Sequence, residues 1–361
     1  MKKLLILILT LLMAGSLTAV QAESQVYASW YTFGDVYLTD VRAALDAALA
    51  ERGMAATDMD ENGVRATQID DVTRVLFTGA DAVAVNLVES GDMDAALNLL
   101  ESAQAQDRPV VFFNRAVSLD NDEAAALFLS YGKSAFVGTD FEEAGRLEGQ
   151  MIGEYLLAHY DEADLNGDGE ISYVLFKGEE ANQEAILRTR YAQEVADELL
   201  TAAGKPALRF YDETNGDKYL VDRNGTWSNV ASYAYMQTIL SHYNEENGNM
   251  VELVICNNDD MAVGAIKALA EAGYNTGDAG DRAIPVFGVD AVAEARELIH
   301  AGRMAGTVKQ DAAGMAEAVA QILANLTAGR EKFDGLDPRF RVVDGWFVQI
   351  PYAPYTGQQR P

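Results

Sequence analysis

Ala82-Val83-Ala84-Val85-Asn86-Leu87, then an amphipathic run from Met93 to Ala105, then Pro109-Val110-Val111-Phe112-Phe113: this passage decides the fold. The two apolar runs are too short for helices and carry no polar alternation. They read as strands buried on both faces, and the segment between them has helical length and spacing. Strand, helix and strand in that order make a βαβ unit and hence a parallel sheet. The same alternation extends outward. Val26–Trp30 is a strand and Leu38–Ala50 a helix on the N-terminal side. On the other side strands read at 135–138, 171–176, 207–211, 252–256, 284–287 and 305–308. Helices read at 142–159, 184–203, 227–243, 259–272, 291–301 and 311–327. A chain of 361 residues is long for one domain. The expected fold is therefore α/β: two similar doubly wound parallel-sheet lobes. Residues 23–138 with 310–344 form the first, and 139–309 with 345–361 the second. Crossing segments near Gly138, Gly306 and Asp344 join them as a multi-strand hinge.

Residues 1–22 stand apart from this pattern. Lys2 and Lys3 precede an apolar stretch from Leu4 to Met13, and small residues lead to Ala22. This is the layout of a cleaved export signal, and no cysteine follows the cut to take a lipid. A soluble periplasmic protein is expected. Asp plus Glu number 56 against 27 Lys plus Arg, a net charge of −29. Such a surface repels phosphate backbones and excludes nucleic acid as a partner. Cys256 is the single cysteine and there are three histidines, so a disulfide, a thiolate zinc site and a histidine-based triad are excluded.

In doubly wound sheets, ligands bind beyond the carboxyl ends of the strands. Tyr31 to Tyr37 follow the first strand, Asn114-Arg115 follow Phe113, and a polar stretch reaching Arg188 follows Phe176. Asn257 to Asp260, then Gly288 and Asp290, then Gln310 and Asp311 end later strands. Asp259 and Asp311 read as helix caps. The rest describe one polar cleft between the lobes. Carboxylates, carboxamides and an arginine fork suit the hydroxyls of a neutral polyol, and aromatic faces suit its C–H patches. No nucleophile elbow or phosphate loop is present. The rival assignment is a glycosidase using paired carboxylates such as Asp35 and Asp290.

A second site lies in Asp164-Leu165-Asn166-Gly167-Asp168-Gly169-Glu170-Ile171-Ser172. Oxygens fall at alternate positions, as in a calcium loop: Asp164, Asn166 and Asp168 by side chain, Glu170 by its carbonyl, and Ser172. The twelfth position is Leu175, which has no carboxylate. A remote acid must complete the shell. With strand order 2-1-3-4-5 in the second lobe, its first and third strands are neighbours, which brings Glu252 beside Ser172. That edge lies opposite the cleft, so the calcium is expected to be structural. The weaker string Asp58–Gly63 reads as a turn.

These features together resemble the galactose/glucose-binding proteins of ABC sugar transporters, within the periplasmic sugar-binding protein superfamily (type I fold). The resemblance runs over nearly the whole chain after the signal. It rests on VVFFN at 110–114, FVGTD at 136–140, DLNGDGEI at 164–171, VICNNDDMAVGA at 254–265, IPVFGVDA at 284–291 and MAGTVKQD at 304–311. It implies capture of a monosaccharide by hinge closure and delivery to a membrane permease, with a chemoreceptor or sensor kinase as a further partner. It implies a monomer and no chemistry on the sugar. A sensing subunit without transport is the alternative within this class. The resemblance places Tyr31 and Asp35 at the sugar, Tyr37 and Trp227 on its two faces, and Asn114, Arg188, Asn258 and Asp290 at its hydroxyls. Three positions depart from the pattern: Asn182 for a histidine, Glu184 for an aspartate and Gln310 for an asparagine. Ser172 replaces a longer amide, and the segment 212–225 is longer than usual. The expected ligand is an aldohexose, galactose or glucose ahead of ribose.

Overall fold

The computed structural model describes residues 24–278 and 280–357. The export signal expected over 1–22 lies outside them. The first lobe runs β1 (Ser24–Trp30), α1 (Val36–Glu51), β2 (Met54–Asp60), α2 (Arg65–Thr78), β3 (Ala82–Val85), α3 (Met93–Ala105), β4 (Val110–Phe113), α4 (Asn121–Leu129) and β5 (Ser134–Gly138). The second runs α5 (Glu143–Ala163), β6 (Ser172–Lys177), α6 (Gln183–Ala202), β7 (Arg209–Phe210), β8 (Leu220–Val221), α7 (Asn229–Leu240), β9 (Leu253–Cys256), α8 (Asp259–Glu271), β10 (Val286–Asp290), α9 (Ala293–His300) and β11 (Gly306–Lys309). The chain then returns to the first lobe with α10 (Ala312–Thr327), β12 (Arg341–Val343) and β13 (Phe347–Gln349), and ends in the second with β14 (Ala353–Tyr355).

The sheets are ordered β12-β13-β5-β4-β3-β1-β2 and β14-β11-β10-β9-β6-β7, with β8 pairing the far end of β6. Each contains the expected 2-1-3-4-5 arrangement of parallel strands. The sequence pattern explains the double cover. In β4, Val111 and Phe113 pack with α1 and α10, while Val110 and Phe112 face the α2 and α3 side. In β6, Tyr173 and Leu175 face α5 and α6, while Val174 and Phe176 face α7 and α8. Successive side chains of a strand point to opposite faces, so a strand covered on both sides must be apolar throughout. Among the described residues, no helix is long and apolar enough to cross a membrane.

Two sequence expectations are corrected. The third crossing is not at Asp344, which lies in the β12–β13 turn with φ 49°. It falls after β13, because Phe347, Val348 and Gln349 pair with Phe136, Val137 and Gly138 of β5. The first lobe therefore keeps the chain to about residue 349, and the crossings are 139–142, 310–311 and 350–352. Second, β2 and α2 went unread, since Met54–Asp60 alternates small and acidic residues and forms only the edge of the sheet. Asp58 and Asp60 end that strand, and the turn expected there follows at Asn62-Gly63.

Candidate functional site

All eleven residues expected to face a ligand, from Tyr31 to Gln310, line one cleft between the lobes, and Arg115 is the twelfth. The facing side chains leave a cavity of only about 30 Å³ between them. The lobes are thus closed on one another, and a ligand must enter by their separation.

On the first lobe, Asp35 caps α1, its Oδ1 accepting from the Leu38 amide at 2.9 Å and its Oδ2 from the Tyr31 hydroxyl at 2.7 Å. Each carboxylate oxygen has a second lone pair to offer. Tyr37, in the first turn of α1, is 6% exposed, and its hydroxyl meets the Met315 sulfur at 3.8 Å. Asn114 ends β4 with φ 62°, a left-handed conformation that asparagine tolerates better than most residues. Its Oδ1 accepts from Asn86 Nδ2 at 3.2 Å, which leaves its own Nδ2 as a donor.

On the second lobe, Asn182 caps α6 and Asn258 caps α8, each Oδ1 accepting an amide of the first turn. Asn258 keeps its carboxamide NH₂, while that of Asn182 donates to Glu179. Trp227, at φ 56°, lies flat on the backbone of Gly178: a Cβ there would come within 2.1 Å of the indole. Only glycine lets the ring sit so close. Asp290 ends β10 with φ 124°, and Ala291 follows at φ 59°. Two consecutive non-glycine residues in this region store strain, which is characteristic of functional positions. Arg188 is 2% exposed and donates from Nη1 to the Asn257 carbonyl at 2.9 Å. Its Nη2 reaches Glu184, Gln310 and Tyr352 at 3.1, 3.0 and 2.9 Å. Arg188 Nε and Gln310 Nε2 are buried without a partner.

The electrostatics follow from burial. Desolvation raises the Asp290 pKa well above the usual carboxylate range; Arg188 opposes this, and Asp259, Asp35 and Glu184 add to it. Burial lowers the Arg188 pKa, but the Tyr352 hydroxyl that accepts from it and the carboxylates of Glu184 and Asp290 hold it raised. Asp259 is not the helix cap expected. It is the first residue of α8, fully buried, with its carboxylate bonded by Thr307 Oγ1 at 2.6 Å and the Val292 amide at 2.9 Å. Asp311 is the N-cap residue of α10 but makes no side-chain cap bond, because it faces Lys309 and Arg339.

Three residues at the site are not among the expected ligand contacts. Arg115 stacks on the Tyr31 ring, 4.0 Å from its centroid, and pairs across the cleft with Glu179. Glu179 also accepts from Trp227 Nε1 and Asn182 Nδ2, both at 3.4 Å. Asn86 holds Asn114 and the Tyr31 amide. All three had a signal, since each sits at a strand end; the pairing of Arg115 with Glu179 had none, as the two are distant in sequence.

At the opposite edge of the second lobe, Asp164 accepts from the amides of Gly167, Asp168 and Gly169. Asn166 Oδ1 accepts from Asp168, and Asp168 from Glu170. Glu252 stands beside Ser172 as expected and accepts from the amides of Leu165, Asn166 and Ser172. Ser172 itself is turned away, its hydroxyl donating to the Met250 carbonyl. It is removed from the expected ligand set. Arg209, which pairs with Ser172 in register, binds Asp168 at 3.2 Å and Glu170 at 2.7 Å. Among the described residues, no group of three or more His, Cys, Asp or Glu is gathered to hold a metal unaided. A cation here would need carboxamide and carbonyl oxygens as well. Burial raises the Glu252 pKa, backbone amides oppose this, and Asp164 and Asp168 push it further up.

Residues 26–331 match the periplasmic binding protein domain model. The chain is 32% identical over 333 residues to a D-galactose/methyl-galactoside binding periplasmic protein of Haemophilus influenzae, covering 92% of this chain and 89% of that one. It is 28% identical to a putative rhizopine-binding protein of Rhizobium meliloti, over 86% and 87% of the two chains. The fold also matches an ABC transporter solute binding protein of Bacillus halodurans with bound myo-inositol, at TM-score 0.68 and 21% identity over 93% and 95%. With its two doubly wound lobes, its interlobe cleft and these relatives, the chain belongs to the periplasmic binding protein family.

Proposed function

We propose that this protein is the exported sugar-binding component of an ABC transporter. It captures an aldohexose of the galactose or glucose type by hinge closure and presents the closed form to a membrane permease. The observation that carries this reading is the cleft itself. Its donors and acceptors come from both lobes, and several retain hydrogen-bonding capacity: Asp35, Asp290, Arg188 Nε and Gln310 Nε2. Neither lobe alone offers the full set, so a ligand that uses it favours the closed state. Trp227 and Tyr37 supply apolar faces from opposite lobes. The sugar undergoes no reaction. A chemoreceptor or sensor kinase as a second reader of the closed form belongs to the same proposal.

A structural calcium ion in the Asp164 loop is also proposed. Asp164, Asn166, Asp168, Glu252 and the Glu170 carbonyl would hold it. The ion would offset the carboxylate charge gathered there and tie the loop to β9. The test of the main reading is titration calorimetry of protein stripped of ligand by unfolding and refolding. Saturable binding of D-galactose or D-glucose is expected, with D-ribose weaker and no hydrolysis of aryl glycosides. Binding of a pentose or disaccharide with no response to either hexose would replace the ligand assignment.

A further inference from the structure

Glu184 lines the cleft, yet its carboxylate is already engaged by the protein. Oε1 accepts from Thr139 Oγ1 at 2.7 Å and from the Tyr352 hydroxyl at 2.9 Å. Oε2 accepts from Arg188 Nη2 at 3.1 Å. The same Nη2 is shared with Gln310 Oε1 and the Tyr352 hydroxyl oxygen. Thr139, Gln310 and Tyr352 are each on a different crossing between the lobes: the first, the second and the third. All five side chains are buried. A charged hydrogen-bonded network in such a place is worth more than its separate bonds, and losing one member leaves the others without partners.

We propose that Glu184 is a positioning residue that clamps the cleft arginine, Arg188, to all three crossings, and that it is not the acceptor for a ligand hydroxyl. Its carboxylate ties Thr139 and Tyr352 to Arg188 at the wall of the cleft. The carboxylates with the most accepting capacity left for the ligand are then Asp35 and Asp290, one on each lobe. On the Glu184 side the cleft offers donors instead, Arg188 Nε and Gln310 Nε2. A ligand hydroxyl there must accept rather than donate. This inference rests on the sugar-binding reading only in its second test.

The first test needs no sugar. Melting temperatures of Glu184→Gln, Tyr352→Phe and the double variant are measured on the full chain. Coupling is expected: the double variant melts close to the worse single variant, because both break one network. Additive shifts would overturn the clamp. If Tyr352→Phe does not fold, Thr139→Val completes the same cycle. The second test titrates wild type and Glu184→Gln with D-galactose and each of its monodeoxy analogues. Glu184→Gln should weaken every sugar by the same factor, roughly two- to a hundredfold. If one analogue alone escapes the loss, Glu184 touches that hydroxyl and the proposal fails. Should no sugar bind at all, the melting cycle still decides the clamp while the ligand assignment falls.

Discussion

The two ends of β9 carry similar residues and opposite chemistry. At one end Glu252 receives three backbone amides, and the Asp164 loop wraps its oxygens in hydrogen bonds of its own making. At the other, Asn258 spends one oxygen on the cap of α8 and keeps its NH₂, while neighbouring Asp290 is buried beside an arginine it does not bond directly. Bonds closed within the protein build structure. Polar groups buried with capacity to spare are costly unless something arrives to complete them. The comparison predicts that changes at the cleft end cost binding and those at the loop end cost stability.

The sharpest break of this contrast is Asp290→Asn. Sugar affinity should fall by roughly a hundredfold, since a hydrogen bond to a charged group is lost. Sugar-free protein should nevertheless melt higher than wild type at pH 8. The sign follows from the raised pKa of Asp290. Between its unfolded value, about 3.9, and its folded one, the native protein binds more protons, so wild-type stability falls as pH climbs through that window. The gain from asparagine should therefore shrink toward pH 4. Scanning calorimetry against pH checks it, and a variant that melts lower at pH 8 would show that the charge is better satisfied than its surroundings indicate.

Trp227→Ala comes next. Loss of a ring packed on Gly178 at the cleft should weaken sugar binding roughly ten- to a hundredfold while folding persists. Unaltered affinity by calorimetry would make the indole a packing residue only. At the loop end, Glu252→Gln should lower the melting temperature and calcium affinity and leave sugar affinity within about twofold, as distant sites are additive. A melting temperature indifferent to chelator would make the loop a metal-free turn. The smallest effect is expected for Arg209→Gln. Removing a half-exposed cation from Asp168 and Glu170 should raise calcium affinity a fewfold, more at low salt than at high. Terbium luminescence reads this directly, and weaker binding would mean that Arg209 orders the loop for the ion.

Much of this architecture was legible because the interior strands are apolar without interruption: Val110–Phe113 admits no other placement. The cleft was legible because strand ends in such sheets converge, which brought Asn114, Asn258 and Asp290 together from distant positions. Side-chain direction was not legible. Ser172 has the right oxygen at the right spacing, but the pleat of β6 turns it to Met250. Glu184 lines the cleft as expected, but its carboxylate is bonded to Thr139, Tyr352 and Arg188, partners that its position in the sequence does not name. The Arg115–Glu179 pair depends on how two lobes meet, and no local spacing encodes that. Edge elements such as β2 escaped because a half-covered strand needs no continuous apolar run.

A chain that passes three times between two bodies also fixes the order in which they can be completed. The face of the first sheet that α1 covers with Val41 and Leu45 is completed by Met315, Val319 and Leu323 of α10, and its edge beyond β5 is paired by β13. During synthesis, everything up to β5 therefore emerges with one face covered by α1 alone and one edge open, while all but the last strand of the second lobe is made in a single stretch. The first lobe to be made is the last to be finished, and a nascent chain of this design stays slack almost until its final residues appear.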